Sequence, residues 1–115
     1  MSKFGDRIAA NRAAKDIGSI EVAEWGEDGV PLRIFYTAVT GLDIDKIQRK
    51  HKDFLSNPTI EAMVETIIVK AKDESGDKMF TLEDKIVLLN EPAELIARVF
   101  GGIFNAISVE EQEKN

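Results

Sequence analysis

The sequence predicts an α+β fold: a small single domain in which one N-terminal β-hairpin packs against about four helices. Three observations predict it. The runs SIEVAEW (19–25) and PLRIFYTAV (31–39) are rich in β-branched and aromatic residues, and GEDGV (26–30) joins them. Downstream, apolar residues recur at three- and four-residue spacing in successive stretches, the signature of helices with one buried face. The chain has 115 residues, 43% of them hydrophobic, which is enough for one core.

Residues 3–15 read as a short helix, rich in Ala and charge, with Phe4 and Ile8 four apart. It has few apolar anchors, and Gly18 and Ser19 end it. In the hairpin, pairing Trp25 with Leu32 sets Glu24 opposite Arg33 and Val22 opposite Phe35. One face then carries Ala23, Trp25, Leu32, Ile34 and Tyr36, and neither face is plainly the solvent side. The joining loop is longer than two residues and uses Gly29 for a positive φ. An isolated hairpin is barely stable in water, so helices must cover at least one face.

Thr40 opens the next helix, with Asp43 at the acid position of a capping box. Ile44, Ile47, His51, Phe54 and Leu55 fall on its apolar stripe. Asn57-Pro58 stops this helix and starts another, whose broad face carries Ile60, Met63, Val64, Ile67, Ile68 and Ala71. DESGDK (73–78) is a turn. Thr81 and Asp84 form a second capping box ahead of the short helix LEDKIVLLN. A last helix, from about Pro92 to Ile107, presents Ile96, Val99, Phe100, Ile103 and Ile107 at helical spacing. The organisation is thus an N-terminal arm over 1–18, a single domain over 19–108 and a polar tail over 109–115.

Composition narrows the function. A net charge of −6 argues against binding nucleic acid through its phosphates, and acids flank the one basic cluster, Lys46 to Lys52. The N-terminus has no signal-peptide pattern, and the stretch LIARVFGGIFNAI is broken by Arg98 and too short to span a bilayer. The lack of cysteine favours an intracellular compartment. No membrane and no nucleic acid are therefore expected as partners; a protein is.

Catalytic patterns are missing. His51 has no second His or Cys to share a metal and reads as a packed histidine. There is no nucleophile elbow, and no GxxxxGK or GxGxxG motif. The stretch 73–84 imitates a calcium loop, with Asp73, Ser75 and Asp77 at positions one, three and five. It fails at position six, where Lys78 replaces the required glycine, and at position twelve, where Asp84 is too short for bidentate ligation. No catalytic residue, cofactor or metal is expected.

Gly101-Gly102 inside an apolar helix costs about 1 kcal/mol per residue relative to Ala. The pair marks either a flat spot for a second backbone, within the fold or from another subunit, or a kink that ends the helix. The face bearing Leu95, Val99 and Phe104 is wide enough to leave a contact patch.

Two stretches together carry a family resemblance. EVAEWGEDGVPLRIFYTAVTGLDIDKI resembles the opening of the tail assembly chaperones of long-tailed (siphovirus-type) bacteriophages and prophages. In that family an acidic strand ending Glu-Trp-Gly turns into a Pro-Leu-Arg strand, followed by a helix entered through a Thr-containing turn. AKDESGDKMFTLEDKIVLLNEPAELIARVFGGIFNAIS resembles the family's second half. Ala23, where proline is frequent, and the chain before Gly18 depart from the pattern. The resemblance spans roughly residues 19–108. It implies a non-enzymatic role in the host bacterial cytoplasm: binding the tape-measure protein and keeping it soluble while the major tail protein assembles around it. It also implies self-association, and in many members a longer frameshifted product, which would attach at the polar tail. The alternative is a structural tail or connector subunit retained in the virion. The residues suited to protein binding are Trp25, Phe35, Tyr36, Leu95, Val99, Gly101, Gly102 and Phe104. Trp25 is either a cross-strand lock against Leu32 and Ile34 or part of the surface offered to the partner.

Overall fold

A computed structural model describes residues 2–15 and 18–114, with side chains described for residues 2–10 and 18–104. The order is α1 (Lys3–Lys15), β1 (Gly18–Glu27), β2 (Val30–Tyr36), α2 (Gly41–Lys50), α3 (Ile60–Lys70), a 3-10 turn (Leu82–Asp84), α4 (Lys85–Leu89) and α5 (Ala93–Lys114). This is the α+β hairpin-and-helices architecture that the sequence predicts. Gly18 and Ser19 begin β1 rather than end α1.

The hairpin differs from its expected form at the turn. Asp28 (φ 53°) and Gly29 (φ 79°) make a two-residue turn, so Glu27 pairs with Val30 and the loop is shorter than expected. Below it the register slips: four residues of β1, Ala23 to Gly26, face the single residue Pro31 before Val22 pairs with Leu32. Proline has no N–H to give the ladder, which favours an irregularity there. A Cβ on Gly26 would run into the Val30 carbonyl oxygen, so only glycine fits the pinched strand.

The slip is odd in number and therefore exchanges faces. Val22, Ile34 and Tyr36 share the buried face, with Ile20 and Leu32 packed beside them, while Ala23 is exposed and Trp25 packs half-buried against the core. Glu21, not Glu24, pairs with Arg33 across the strands, and Ser19, not Val22, faces Phe35. The solvent side is plain after all.

Thr40 and Asp43 form the predicted capping box, with reciprocal bonds of 3.1 and 3.0 Å. α2 stops at Lys50, earlier than its stripe suggests. Phe54 reaches the core from a turn instead, and Leu55 is exposed. Thr59, not Asn57, caps α3: its hydroxyl accepts the Ala62 N–H at 3.1 Å. Asp84 accepts the Thr81 N–H at 2.8 Å, as the second capping box requires.

α3 is the central helix. Ala62, Val64, Ile67 and Ile68 meet Ile96, Val99, Phe100 and Ile103 of α5, and α5 also packs on β1. Phe54, Phe100 and Phe104 form an aromatic cluster with ring centroids 5.2 to 5.9 Å apart. Beyond α3, Lys72 exchanges backbone bonds of 2.7 and 2.9 Å with Phe35, adding a short bridge to the outer edge of β2. α5 runs on through residues 109–114, the expected polar tail; Ile107 lies outside the described side chains.

One charge is buried to hold the hairpin exit. Lys70 Nζ donates to Thr37 Oγ1, the Ala38 carbonyl and Asp43 Oδ2 at 2.9 to 3.0 Å, which uses all three ammonium hydrogens. Burial pushes the Asp43 carboxyl up, but the Thr40 N–H and Lys70 outweigh it and hold the group below its ordinary value.

Candidate functional site

The residues singled out in the sequence divide into three groups. Tyr36, Leu95 and Val99 are buried, with 4%, 7% and 2% exposure, and offer nothing to a partner. Helical spacing marks a buried face and an offered face alike, and here the hairpin and α3 cover it. Gly102 is a close-approach site within the fold: a Cβ there would lie 3.1 Å from Ile20 of β1, and the helix continues past it. Gly101, Phe35 and Phe104 are half-buried, Phe104 in the aromatic cluster.

Trp25 is neither a cross-strand lock nor a free anchor. Its indole Nε1 donates to Glu91 Oε1 at 2.6 Å, and its ring stands edge-on to Phe80, 6.1 Å between centroids. It therefore pins the hairpin mouth to the turns on either side of α4. The β1 bulge, invisible as a pattern, breaks the expected pairing of Trp25 with Leu32.

His51 lies at the C-terminus of α2 against α3. Its Nε2–H donates to Glu65 Oε2 at 2.5 Å, while Lys50 and Lys85 donate to Glu65 Oε1 at 2.6 and 3.1 Å. Burial alone would raise the Glu65 carboxyl; the bonds from Lys50, His51 and Lys85 overcome it and hold it at about 2. The hydrogen bonds that the Lys85 ammonium donates to Glu61 and Glu65 raise Lys85 in turn. His51, Glu61 and Glu65 present ligand atoms within 4.8 Å of one another, a spacing a metal could use. Two ammonium groups already balance the two carboxylates, however, so the cluster reads as an ion-pair knot joining α2, α3 and α4. In the calcium-like turn, Asp73 Oδ1 is taken by the backbone N–H groups of Ser75 and Asp77.

The surface that remains uncovered was not legible as such. Leu82 (81% exposed), Ile86 (71%) and Val87 (64%) stand out from the 3-10 turn and α4, with Leu89 beside them. Only Leu88 of α4 reaches the core. Next to Leu82 a groove of about 240 Å³ runs between α2 and α3, floored by Ile47, Ile68 and Val69 and edged by Lys46, Lys50 and Glu65. A helix of five residues has too few positions to bury one face and solvate the other. Four large aliphatic side chains within eight residues, held open by the Glu65 knot, form a surface suited to an apolar partner helix.

No family model, curated protein or solved structure matches this chain. Among the described residues no helix is long and apolar enough to cross a membrane.

Proposed function

We propose that this protein is a non-enzymatic assembly chaperone that holds an apolar, helical partner chain. The groove of α2 and α3 and the exposed aliphatic face of α4 form the docking surface. The partner proposed is the tape-measure protein of a long-tailed phage, on the resemblance of residues 19–108 to that chaperone family. The observation that carries the reading is the run Leu82, Ile86, Val87 and Leu89, the densest group of exposed large aliphatic side chains among the described residues. Such side chains are costly to expose without use, each forgoing roughly 1.5–3 kcal/mol of burial. The net charge of −6 keeps a complex with an aggregation-prone chain soluble.

A partner helix laid in the groove would bring its apolar stripe to Ile47, Ile68, Val69 and Leu82 and acidic flanks toward Lys46. Co-expression with the tape-measure protein, followed by affinity purification of this chain, tests the reading. A soluble, co-purifying partner supports it. An insoluble partner, together with many copies of this chain in purified virions, would favour a structural tail subunit instead.

A further inference from the structure

The sheet pairs charges across strands in two opposite ways. In the hairpin, Glu21 stands across from Arg33 and accepts its guanidinium N–H at 2.5 Å. Beyond β2, single bridges join Phe35 to Lys72 and Lys72 to Lys78, and the second sets two lysines opposite each other. The Met79 N–H donates to the Ala71 carbonyl at 3.1 Å, and the Asp73 N–H to the Asp77 carbonyl at 2.9 Å. Those bonds flank the lysines, which are therefore a non-hydrogen-bonded pair, the kind that brings opposed residues closest, with Cα atoms about 4.5 Å apart. Like charges so placed repel. Arg33, Arg49, Lys50, Lys70, Lys85 and Arg98 each hold a carboxylate. Among the described residues no carboxylate pairs with Lys72 or Lys78. The adjoining Asp73 Oδ1 already accepts the Ser75 and Asp77 N–H groups of its own turn.

Residues bridged across strands share a face of the sheet. Ile34 and Tyr36 point into the core, so Phe35 lies on the other face, half-buried and not packed on the core cluster. Phe35, Lys72 and Lys78 thus form one row on the outer face: an aromatic side chain, then two unpaired ammonium groups. We infer that this row binds a phosphate monoester carried on an aromatic group, the phosphate between Lys72 and Lys78 and the ring on Phe35. Charge selects the ligand. A phosphate monoester carries about −1.5 to −2 at pH 7 and answers both lysines, whereas a carboxylate leaves one uncompensated. Lysine also serves phosphate well as a point charge, while the fork of arginine suits carboxylate better. A nucleic-acid strand is disfavoured by the chain's net −6 and by Glu74 and Asp77, exposed in the adjoining turn. The ligand is therefore compact, and a nucleoside monophosphate and a phosphorylated tyrosine share this chemistry. The row has no residue in common with the groove or the α4 face, so it is independent of the assembly reading.

Phenyl phosphate, inorganic phosphate and benzenesulfonate, titrated into the full-length ¹⁵N-labelled protein, test the inference. Phenyl phosphate should shift the amides around Phe35, Lys72 and Lys78 saturably, with a Kd of about 1 mM or tighter. Inorganic phosphate should move the same amides more weakly. Benzenesulfonate, with the ring but a single charge, should bind about tenfold more weakly than phenyl phosphate. Lys72→Gln and Lys78→Gln should each cost about tenfold, with the fold intact by circular dichroism. Phe35→Leu should bring phenyl phosphate down to the affinity of inorganic phosphate. The inference is overturned if phenyl phosphate produces no saturable shift, or if benzenesulfonate binds as tightly. It also fails if folded Lys78→Gln, altered only at an exposed side chain, binds phenyl phosphate like wild type. Adenosine monophosphate and phosphotyrosine, titrated in the same way, then separate a nucleotide from a phosphorylated side chain as the source.

Discussion

α4 and α5 are neighbours in the chain, both apolar in composition, yet the fold treats them oppositely. α5 lies across α3 and β1 and buries Leu95, Ile96, Val99, Phe100 and Ile103; α4 buries only Leu88 and leaves Ile86, Val87 and Leu89 exposed. Length decides the difference. A long helix can aim a full stripe at the core, while a five-residue helix wedged between two turns is oriented by its ends. The ends of α4 are held by the Thr81–Asp84 cap, by Lys85 in the Glu65 knot, and by Glu91 on Trp25. Polar anchoring thus holds an apolar surface open.

The largest effect should separate the two helices directly. Ile96→Ala removes a fully buried side chain of α5 and should cost about 2–5 kcal/mol in urea unfolding. The matching Ile86→Ala in α4 should stay within about 0.5 kcal/mol. Equal losses would mean that the α4 face is covered in solution.

The anchoring of α4 is sharpened by acid. The Glu65 carboxyl is depressed to about 2 when folded, against an ordinary value of 4.5, so its contribution is complete above about pH 5. It is lost progressively as pH falls toward 2, because the unfolded chain then binds the proton first. Glu65→Gln should cost about 2 kcal/mol at pH 7 and flatten the acid limb of a pH–stability curve. An unchanged acid limb would remove the knot from the account.

A smaller loss is expected at the hairpin mouth. Trp25→Phe keeps an aromatic edge toward Phe80 but loses the bond to Glu91, at about 1.5 kcal/mol in the same unfolding assay. The smallest effect concerns the flat spot of α5. Gly102→Ala gains about 1 kcal/mol of helix propensity, while its Cβ meets the Cγ2 methyl on the stiff β-branch of Ile20 at 3.1 Å. The two terms nearly cancel, and a thermal midpoint within a few degrees of wild type is expected.

The sequence was most informative where one local signal determines the outcome. Thr40 with Asp43 and Thr81 with Asp84 marked real helix starts, and of the predicted stripes Val64, Ile67, Ile68, Ala71, Ile96, Val99, Phe100 and Ile103 are buried. It failed where pairing is decided by a residue's missing group or by a distant partner. The register shifts by an odd number opposite Pro31 and takes Trp25 out of its expected pairing with Leu32, and its indole bonds a carboxylate 66 residues away. The exposed site failed for another reason. Apolar spacing identifies a face, but only the packed fold says whether anything covers it, so the buried Leu95 and Val99 read as contact residues and the exposed Ile86 did not. Glu61 and Glu65, one helical turn apart, were the available hint that His51 and two lysines would meet there.

The proposed function divides the molecule into an α4 face for the partner and a Trp25 and α5 scaffold for the fold. The most direct measurement is the tape-measure co-expression with the double variant Leu82→Asp/Ile86→Asp, read beside its thermal midpoint. The account predicts an unchanged midpoint and loss of the soluble partner. A variant that still solubilises the partner as wild type does would contradict it.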